Sequence, residues 1–301
     1  MVADPFEGFA TSVVDVGEAT IFTRRKGAGH PLLLLHGFPE THVMWHRVAP
    51  VLAEAFTVVC ADLRGYGASS KPASRPDHAP YSKRAMAADM VRVMDALGFP
   101  RFGIAGHDRG GRVAYRMALD YADCIERLAV LDIVATSDVF RFTEAGRVLS
   151  YWPWALLSNP APLPERLMAA DPEAVVDDAL GAWGSERACF PPTIRAAYVD
   201  ALRNRESIHA ICEEYRAAAT IDAALDRQDR AANRRIGCPT LVLWSEGGGL
   251  DTWYASAGGP LGLWRRWAAD VSGGAIRGGH FFPEQNPQET IAALHAFFAP
   301  A

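Results

Sequence analysis

The sequence predicts an α/β fold: a mostly parallel, doubly wound sheet interrupted by a helical cap. Short runs such as Pro31 to Leu35 and Phe56 to Ala61, the second broken only by Thr57, are apolar, as strands buried on both faces tend to be. Such runs alternate with amphipathic helical stretches, the order of a parallel sheet covered on both sides. The strand pattern then stops between residues 137 and 233, where the chain turns helical in character and rich in Ala, Arg and Trp. A chain of 301 residues has room for one large domain carrying such an insertion. We therefore expect a core made of residues 1–136 and 234–301. Residues 137–233 would lie over the carboxyl ends of the strands, where ligands bind in open α/β sheets.

Each element has a local reason. Ser12 to Arg24 alternates around Gly17-Glu18 and reads as a hairpin. Pro31 to Leu35 ends at His36-Gly37-Phe38-Pro39, and Phe56 to Ala61 ends at Asp62-Leu63-Arg64-Gly65. Ser82 can cap a helix that runs to Leu97, with Met86, Met90, Val93 and Leu97 on one stripe and Gly98 as its stop. Phe102 to Ala105 is a strand, followed by Gly106-His107-Asp108-Arg109-Gly110 and a helical run from Arg112 to Leu119. Arg127 to Val134 is the next strand. Strand character resumes at Pro239 to Trp244, and a last strand near Ala275 to Arg277 leads into Gly278-Gly279-His280. A helix from Pro287 to Phe298 closes the chain, with Ile291, Leu294 and Phe298 on one face.

Composition narrows the function classes. Half the residues are hydrophobic and 22% are charged, the balance of an ordinary globular enzyme. The net charge of −5 and the lack of basic runs argue against a nucleic-acid or anionic-membrane partner. No apolar run approaches the ~20 residues of a membrane span, and the N-terminus lacks the pattern of a secretory signal. Five scattered cysteines, with no C-x-x-C, are expected to be free thiols in a reducing cytoplasm. No G-x-G-x-x-G, P-loop or H-E-x-x-H motif is present, so neither cofactor nor metal is expected.

The chemistry is read from three strand ends. Gly106-His107-Asp108-Arg109-Gly110 has the strand, tight turn, helix context of a nucleophile elbow, with aspartate where most such enzymes carry serine. A serine would give acyl-enzyme chemistry, whereas a carboxylate attacks carbon and leaves an alkyl ester on the enzyme. Asp132 ends the following strand, and His280 follows the last one. The order nucleophile, acid, histidine is that of α/β-hydrolases. His280 would activate water while the acid orients its ring. Asp132 is favoured as that acid because it directly terminates a strand. Asp251, in the loop after Trp244, is the alternative. Backbone N–H groups of Arg109 and Phe38 are the candidates for an oxyanion hole. Arg109 and Arg112 lie in the first turn after the elbow, where cations oppose the helix dipole. Their forks suit a substrate carboxylate instead, although pairing with a nearby Asp or Glu is the plainer reading.

These residues resemble the haloacetate dehalogenase family, fluoroacetate dehalogenases included, of the α/β-hydrolase superfamily. The likeness runs through nearly the whole chain. It rests on His36-Gly37-Phe38-Pro39, on Gly106 to Arg112, on Leu131-Asp132-Ile133 and on Gly278-Gly279-His280-Phe281. Within the cap it rests on Pro160 to Glu165 and on Cys212-Glu213-Glu214-Tyr215-Arg216. The resemblance implies an α/β-hydrolase fold, Asp108 as nucleophile, His280 as base and Asp132 rather than Asp251 as the third member. It implies that Arg109 and Arg112 hold the carboxylate of a small 2-haloacid. Trp154 and Tyr215 would receive the departing halide, with Trp183, Tyr151 and Pro153 as further pocket candidates. It also implies a cytoplasmic homodimer. The chain departs from the pattern at Pro153, where the family carries a halide-binding histidine. Proline has no side-chain donor, so chloride and bromide are expected to leave better than fluoride. Two other readings stand beside this one. An epoxide hydrolase would use the same Asp–His pair with Tyr151 and Tyr215 as acids, and a non-catalytic relative would only bind a small acid.

Overall fold

The computed structural model of the chain describes residues 4–141 and 151–299. Residues 142–150 of the expected cap, and both extreme termini, lie outside the described residues. Eight strands form one sheet: β1 (Ala10–Asp15), β2 (Thr20–Lys26), β3 (His30–Leu35), β4 (Phe56–Ala61), β5 (Phe102–His107), β6 (Ile125–Leu131), β7 (Thr240–Ser245) and β8 (Val271–Ile276). Their order is β1-β2-β4-β3-β5-β6-β7-β8. The β1–β2 and β2–β4 pairs are antiparallel, and every pair from β4–β3 onward is parallel. The sheet is that of an α/β-hydrolase fold.

Burial follows the sequence pattern. Every residue of β4, β5 and β7 is buried, in keeping with the mainly apolar runs there. The edge strand β1 alternates between exposed and half-buried positions. The opening hairpin is closed by the Val16 N–H donating to the Ala19 carbonyl. Helix α1 (Lys83–Ala96) is capped by the Ser82 hydroxyl, which accepts from the Ala85 N–H. Its Met86, Met90 and Val93 are fully buried, each contributing about 1.5–3 kcal/mol relative to an exposed side chain.

Two strand boundaries differ from expectation. β6 begins at Ile125 and ends at Leu131, because Asp132 has φ +52° and cannot continue an extended strand. β8 covers Val271–Ile276, although Ser272-Gly273-Gly274 carries no apolar signal. Gly273 is required there, since a Cβ would lie 1.9 Å from the Val242 carbonyl oxygen on β7.

Helix α2 (Asp108–Asp120) follows β5. Among the described residues, seven α-helices then lie between β6 and β7: α3 (Thr136–Arg141), α4 (Trp152–Leu157), α5 (Leu163–Ala170), α6 (Pro172–Ala182), α7 (Pro192–Arg203), α8 (Arg205–Ala217) and α9 (Ala223–Ala231). Helix α8 docks on the loop that leaves the carboxyl end of β4. A Cβ on Gly65 would come within 2.7 Å of Ala210, and the Tyr66 hydroxyl donates to Glu214 at 2.6 Å. Short α10 (Gly249–Trp253) and the closing α11 (Pro287–Phe298) complete the named helices. Among the described residues, no helix is long and apolar enough to cross a membrane.

Candidate active site

Four segments meet where β3, β5, β6 and β8 end. β5 stays extended to His107, and the chain then turns at Asp108 with φ +41°. That conformation costs a non-glycine residue about 1–3 kcal/mol and lifts the side chain out of the sheet. The turn closes only because its neighbours are glycines. A Cβ on Gly106 would lie 2.4 Å from the Gly110 carbonyl oxygen, and one on Gly37 would lie 2.5 Å from Asp108 Cβ. The Phe38 N–H donates to Asp108 Oδ2 at 3.1 Å. The Arg109 N–H belongs to the first turn of α2, whose amides have no helical partner.

His280 arrives through Gly278-Gly279, where a Cβ on Gly279 would strike the Gly184 backbone at 2.2 Å. Its Nδ1 lies 2.6 Å from Asp132 Oδ2, and Asp132 Oδ1 accepts from the Ser245 N–H at 2.9 Å. An ionised carboxylate only accepts, so Nδ1 carries the proton and Nε2 keeps a free lone pair. That Nε2 is buried and meets no partner among the described residues. Asp251 stands elsewhere, accepting from Trp244 Nε1 at 3.0 Å and from the Gly247 N–H at 2.9 Å. Asp108, Asp132, His280, Arg112, Tyr151 and Trp154 line one cavity of about 160 Å³. Burial opposes ionisation of Asp108, but the His280 ring in its protonated form and the charges of Arg109 and Arg112 outweigh it and hold the carboxyl below its ordinary range.

The two arginines are buried beside this carboxylate. Arg109 donates through Nε to Glu214 Oε1 at 2.7 Å, while its Nη1 and Nη2 meet no acceptor among the described residues. Its guanidinium carbon lies 4.0 Å from the Tyr215 ring centre and 4.8 Å from that of Trp154. Arg112 donates to the Val134 carbonyl at 2.9 Å and leaves its Nε bare. Burial, and then Arg109, lowers the Arg112 pKa. Two buried cations with unmet donors are costly unless an anion joins them. The plainer sequence reading also holds in part, since Arg109 does pair with a glutamate.

The aromatic candidates divide. Trp154 and Tyr215 pack edge to face at 5.6 Å, and Tyr215 does the same on Phe38 at 5.9 Å. Tyr151 lies between the cavity and a neighbouring pocket, stacked on Trp183 at 5.3 Å. Trp183 faces that second pocket and sets its ring edge-on to His280 at 5.5 Å. Pro153 does not line the cavity. It is buried in the first turn of α4, where a missing N–H costs nothing.

Sequence reasoning missed two buried networks. In one, Glu214 accepts from Arg109, from Lys83 Nζ and from the Tyr66 hydroxyl. In the other, His107 Nε2 lies 2.8 Å from the His280 carbonyl, and Nδ1 lies 3.1 Å from Glu40. Burial lowers the His107 pKa, so the neutral ring donates from Nε2 and accepts at Nδ1. Glu284, which accepts from the Tyr198 hydroxyl at 3.0 Å, is a second buried carboxyl close enough to Glu40 for each to influence the ionisation of the other. Two such carboxyls are disfavoured from ionising together. Glu40 directly follows the His36 to Pro39 motif, the one signal that marked it.

Burial pushes Glu40 up to about 8. The folded chain therefore keeps a proton that the unfolded chain releases near the usual value of 4.5. Stability conferred by the neutral carboxyl is full at acid pH and declines as pH rises through that window. Glu40→Gln keeps a neutral donor at this position. The drop in Tm between about pH 5 and about pH 8 should be smaller than in the wild type. Parallel pH profiles would show that Glu40 is ionised in the folded chain.

Comparison with known proteins places this geometry. The profile described as the alpha/beta hydrolase fold matches residues 30–260. The chain is 44% identical over 297 residues to a fluoroacetate dehalogenase of Burkholderia sp, covering 98% of this chain and 96% of that one. It is 31% identical over 287 residues to a soluble epoxide hydrolase of Corynebacterium sp. (strain C12), covering 91% and 92%. Among solved structures, a protein of Nostoc sp PCC 7120 described as an alpha/beta hydrolase matches with a TM-score of 0.94 at 46% identity, covering 98% of this chain and 100% of that one. A mutant of a Pseudomonas aeruginosa protein described as an epoxide hydrolase, with bound MFA, matches with a TM-score of 0.90 at 43% identity, covering 97% and 96%.

Proposed function

The chain belongs to the haloacetate dehalogenase-like branch of the α/β-hydrolase family, and from that premise we propose that it hydrolyses the carbon–halogen bond of short 2-haloacids through an ester on Asp108. One observation carries the choice of substrate. Beside an ionised carboxylate nucleophile, Arg109 offers two bare guanidinium nitrogens and Arg112 one. A substrate carboxylate would satisfy them and bring its α-carbon to Asp108.

In the first step Asp108 attacks the α-carbon as the carbon–halogen bond breaks, and the halide leaves with the bonding pair. Trp154 and Tyr215 are the donors we assign to the departing halide. In the second step water attacks Cγ of the ester. Nε2 of His280 takes the proton of that water, and Asp132 stabilises the charged ring. The N–H groups of Phe38 and Arg109 receive the negative oxygen. The tetrahedral adduct collapses as the bond from Cγ to the alkyl oxygen breaks, and that oxygen takes the proton from His280. The hydroxyl left on Cγ loses its proton to solvent, which regenerates the Asp108 carboxylate. A 2-hydroxy acid with an inverted α-carbon is released. We read residues 137–233 as the cap over this site. We also read the chain as a cytoplasmic homodimer, to be tested by its mass in solution; the five unpaired cysteines suit a reducing compartment.

Fluoride is the demanding leaving group, and Pro153 donates nothing to it. One missing charge-assisted hydrogen bond costs about 1.5–3 kcal/mol, or roughly ten- to a hundredfold in rate. Chloroacetate should therefore exceed fluoroacetate in kcat/KM by at least about tenfold. Equal values would mean that another group serves the halide.

Epoxide hydrolysis is the second reading, favoured by the position of Tyr151 beside the cavity and by the 31% relative. A neutral epoxide would leave the Arg109 donors unmet. Halide release from chloroacetate, measured beside diol formation from styrene oxide, separates the two. Oxygen from labelled water in the product excludes a protein that only binds the acid.

A further inference from the structure

The cavity at Asp108 is larger and more apolar than a haloacetate uses. Its charged end is formed by Asp108, Asp132, Arg112 and His280. The rest of the wall includes Ile133, Val134, Val139, Phe140 and Leu250. These side chains come from three places in the chain: the turn after β6, α3 and α10. Phe140 is 40% exposed and meets Trp154 edge to face at 5.3 Å. A wholly apolar cavity of roughly 150 Å³ is large enough for a benzene-sized guest. This one measures about 160 Å³, and the single carbon between carboxylate and halogen in a haloacetate would leave the apolar wall unfilled.

We infer that the site takes 2-haloacids whose α-carbon carries an apolar alkyl chain, with that chain against Ile133, Val134, Val139, Phe140 and Leu250. The inference rests on the dehalogenase reading and narrows its substrate. The chemistry is unchanged: the Asp108 oxygen bonds the α-carbon as the halide leaves with its electron pair, and hydrolysis at Cγ returns the 2-hydroxy acid. Branching at the α-carbon slows displacement itself, so turnover alone underreports the fit. Halogen-free acids report binding without that penalty.

The test is inhibition of chloroacetate dechlorination by acetate, butanoate and hexanoate. Each buried methylene is expected to lower Ki about fourfold until the cavity is full. The enzyme should also convert one enantiomer of 2-chlorobutanoate to 2-hydroxybutanoate. Leu250→Trp fills the apolar end, and the ratio of the acetate Ki to the hexanoate Ki should fall toward unity. A Ki that is flat or rises with chain length in the wild type overturns the inference, even if the Leu250 variant does not fold. If chloroacetate itself yields no chloride, the dehalogenase reading fails and the inference falls with it. Chloride release with a flat Ki series removes the inference alone.

Discussion

Glutamine in place of His280 is expected to stop turnover after one chloride per active site. The two chemical steps ask different things of the protein. Alkylation needs only an ionised Asp108 and a bound substrate; the change removes the His280 contribution that helps hold the Asp108 carboxyl below its ordinary range, but not all of the surrounding positive charge. Two cations, Arg109 and Arg112, remain. Hydrolysis needs a base, and Nε2 of His280 is the bare, buried nitrogen suited to it. Glutamine cannot take a proton, so the ester should persist. General-base catalysis contributes about 10²–10⁴-fold, and steady-state kcat should fall by that order. Rapid mixing should show a chloride burst equal to the enzyme concentration, and intact mass should show the carboxymethyl adduct. Asp108→Ala should give neither. A His280→Gln enzyme with an undiminished steady rate would assign the base elsewhere.

The positions of Asp108, Asp132 and His280 were legible because each depends on local rules. A glycine-bracketed residue after an apolar run announces its turn, and strands in a parallel sheet deliver their carboxyl ends to one edge. The run from Phe102 to Ala105 and the glycines at 106 and 110 therefore pointed to Asp108 without any knowledge of the fold. The sequence favoured Asp132 over Asp251 because Asp132 directly ends its strand, and the coordinates add the distance to His280 that separates the two. β8 was read short because an edge strand needs no continuous apolar face, and Gly273 serves close approach rather than burial. Residue type also said nothing about facing. Pro153 turned into the packing of α4, and Trp183 turned to the far side of Tyr151. Arg109 could be found from its place beside the elbow. Its partner Glu214 is 105 positions away, and no periodicity links a charge to its counterion across that distance.

That partner supports the second large effect. Glu214 is fully buried and accepts from three donors: Arg109 Nε, Lys83 Nζ and the Tyr66 hydroxyl. Burial opposes its charge, but Arg109 and Lys83 outweigh burial and keep the carboxyl below its ordinary range. Arg109 and Lys83 donate to the same oxygen, so this carboxylate is what lets two buried cations stand side by side. Glu214→Gln keeps the shape and removes the charge. Breaking a buried ion pair from one side costs about 3–5 kcal/mol, and Tm should drop by on the order of 10 °C. Asp222, 3.8 Å from Lys83, can balance only one of the two cations left behind. Replacing Lys83 by methionine as well removes the surplus charge. The double variant should therefore be more stable than Glu214→Gln alone, a sign that ordinary additivity of two damaging changes does not give. Substrate binding should not recover with stability. Both variants lose the anchor on Arg109 Nε, so KM for chloroacetate should rise about tenfold or more in each while kcat changes less, the pattern of lost uniform binding. Recovery of KM in the double variant would mean that Arg109 holds its aim through the Trp154 and Tyr215 rings alone.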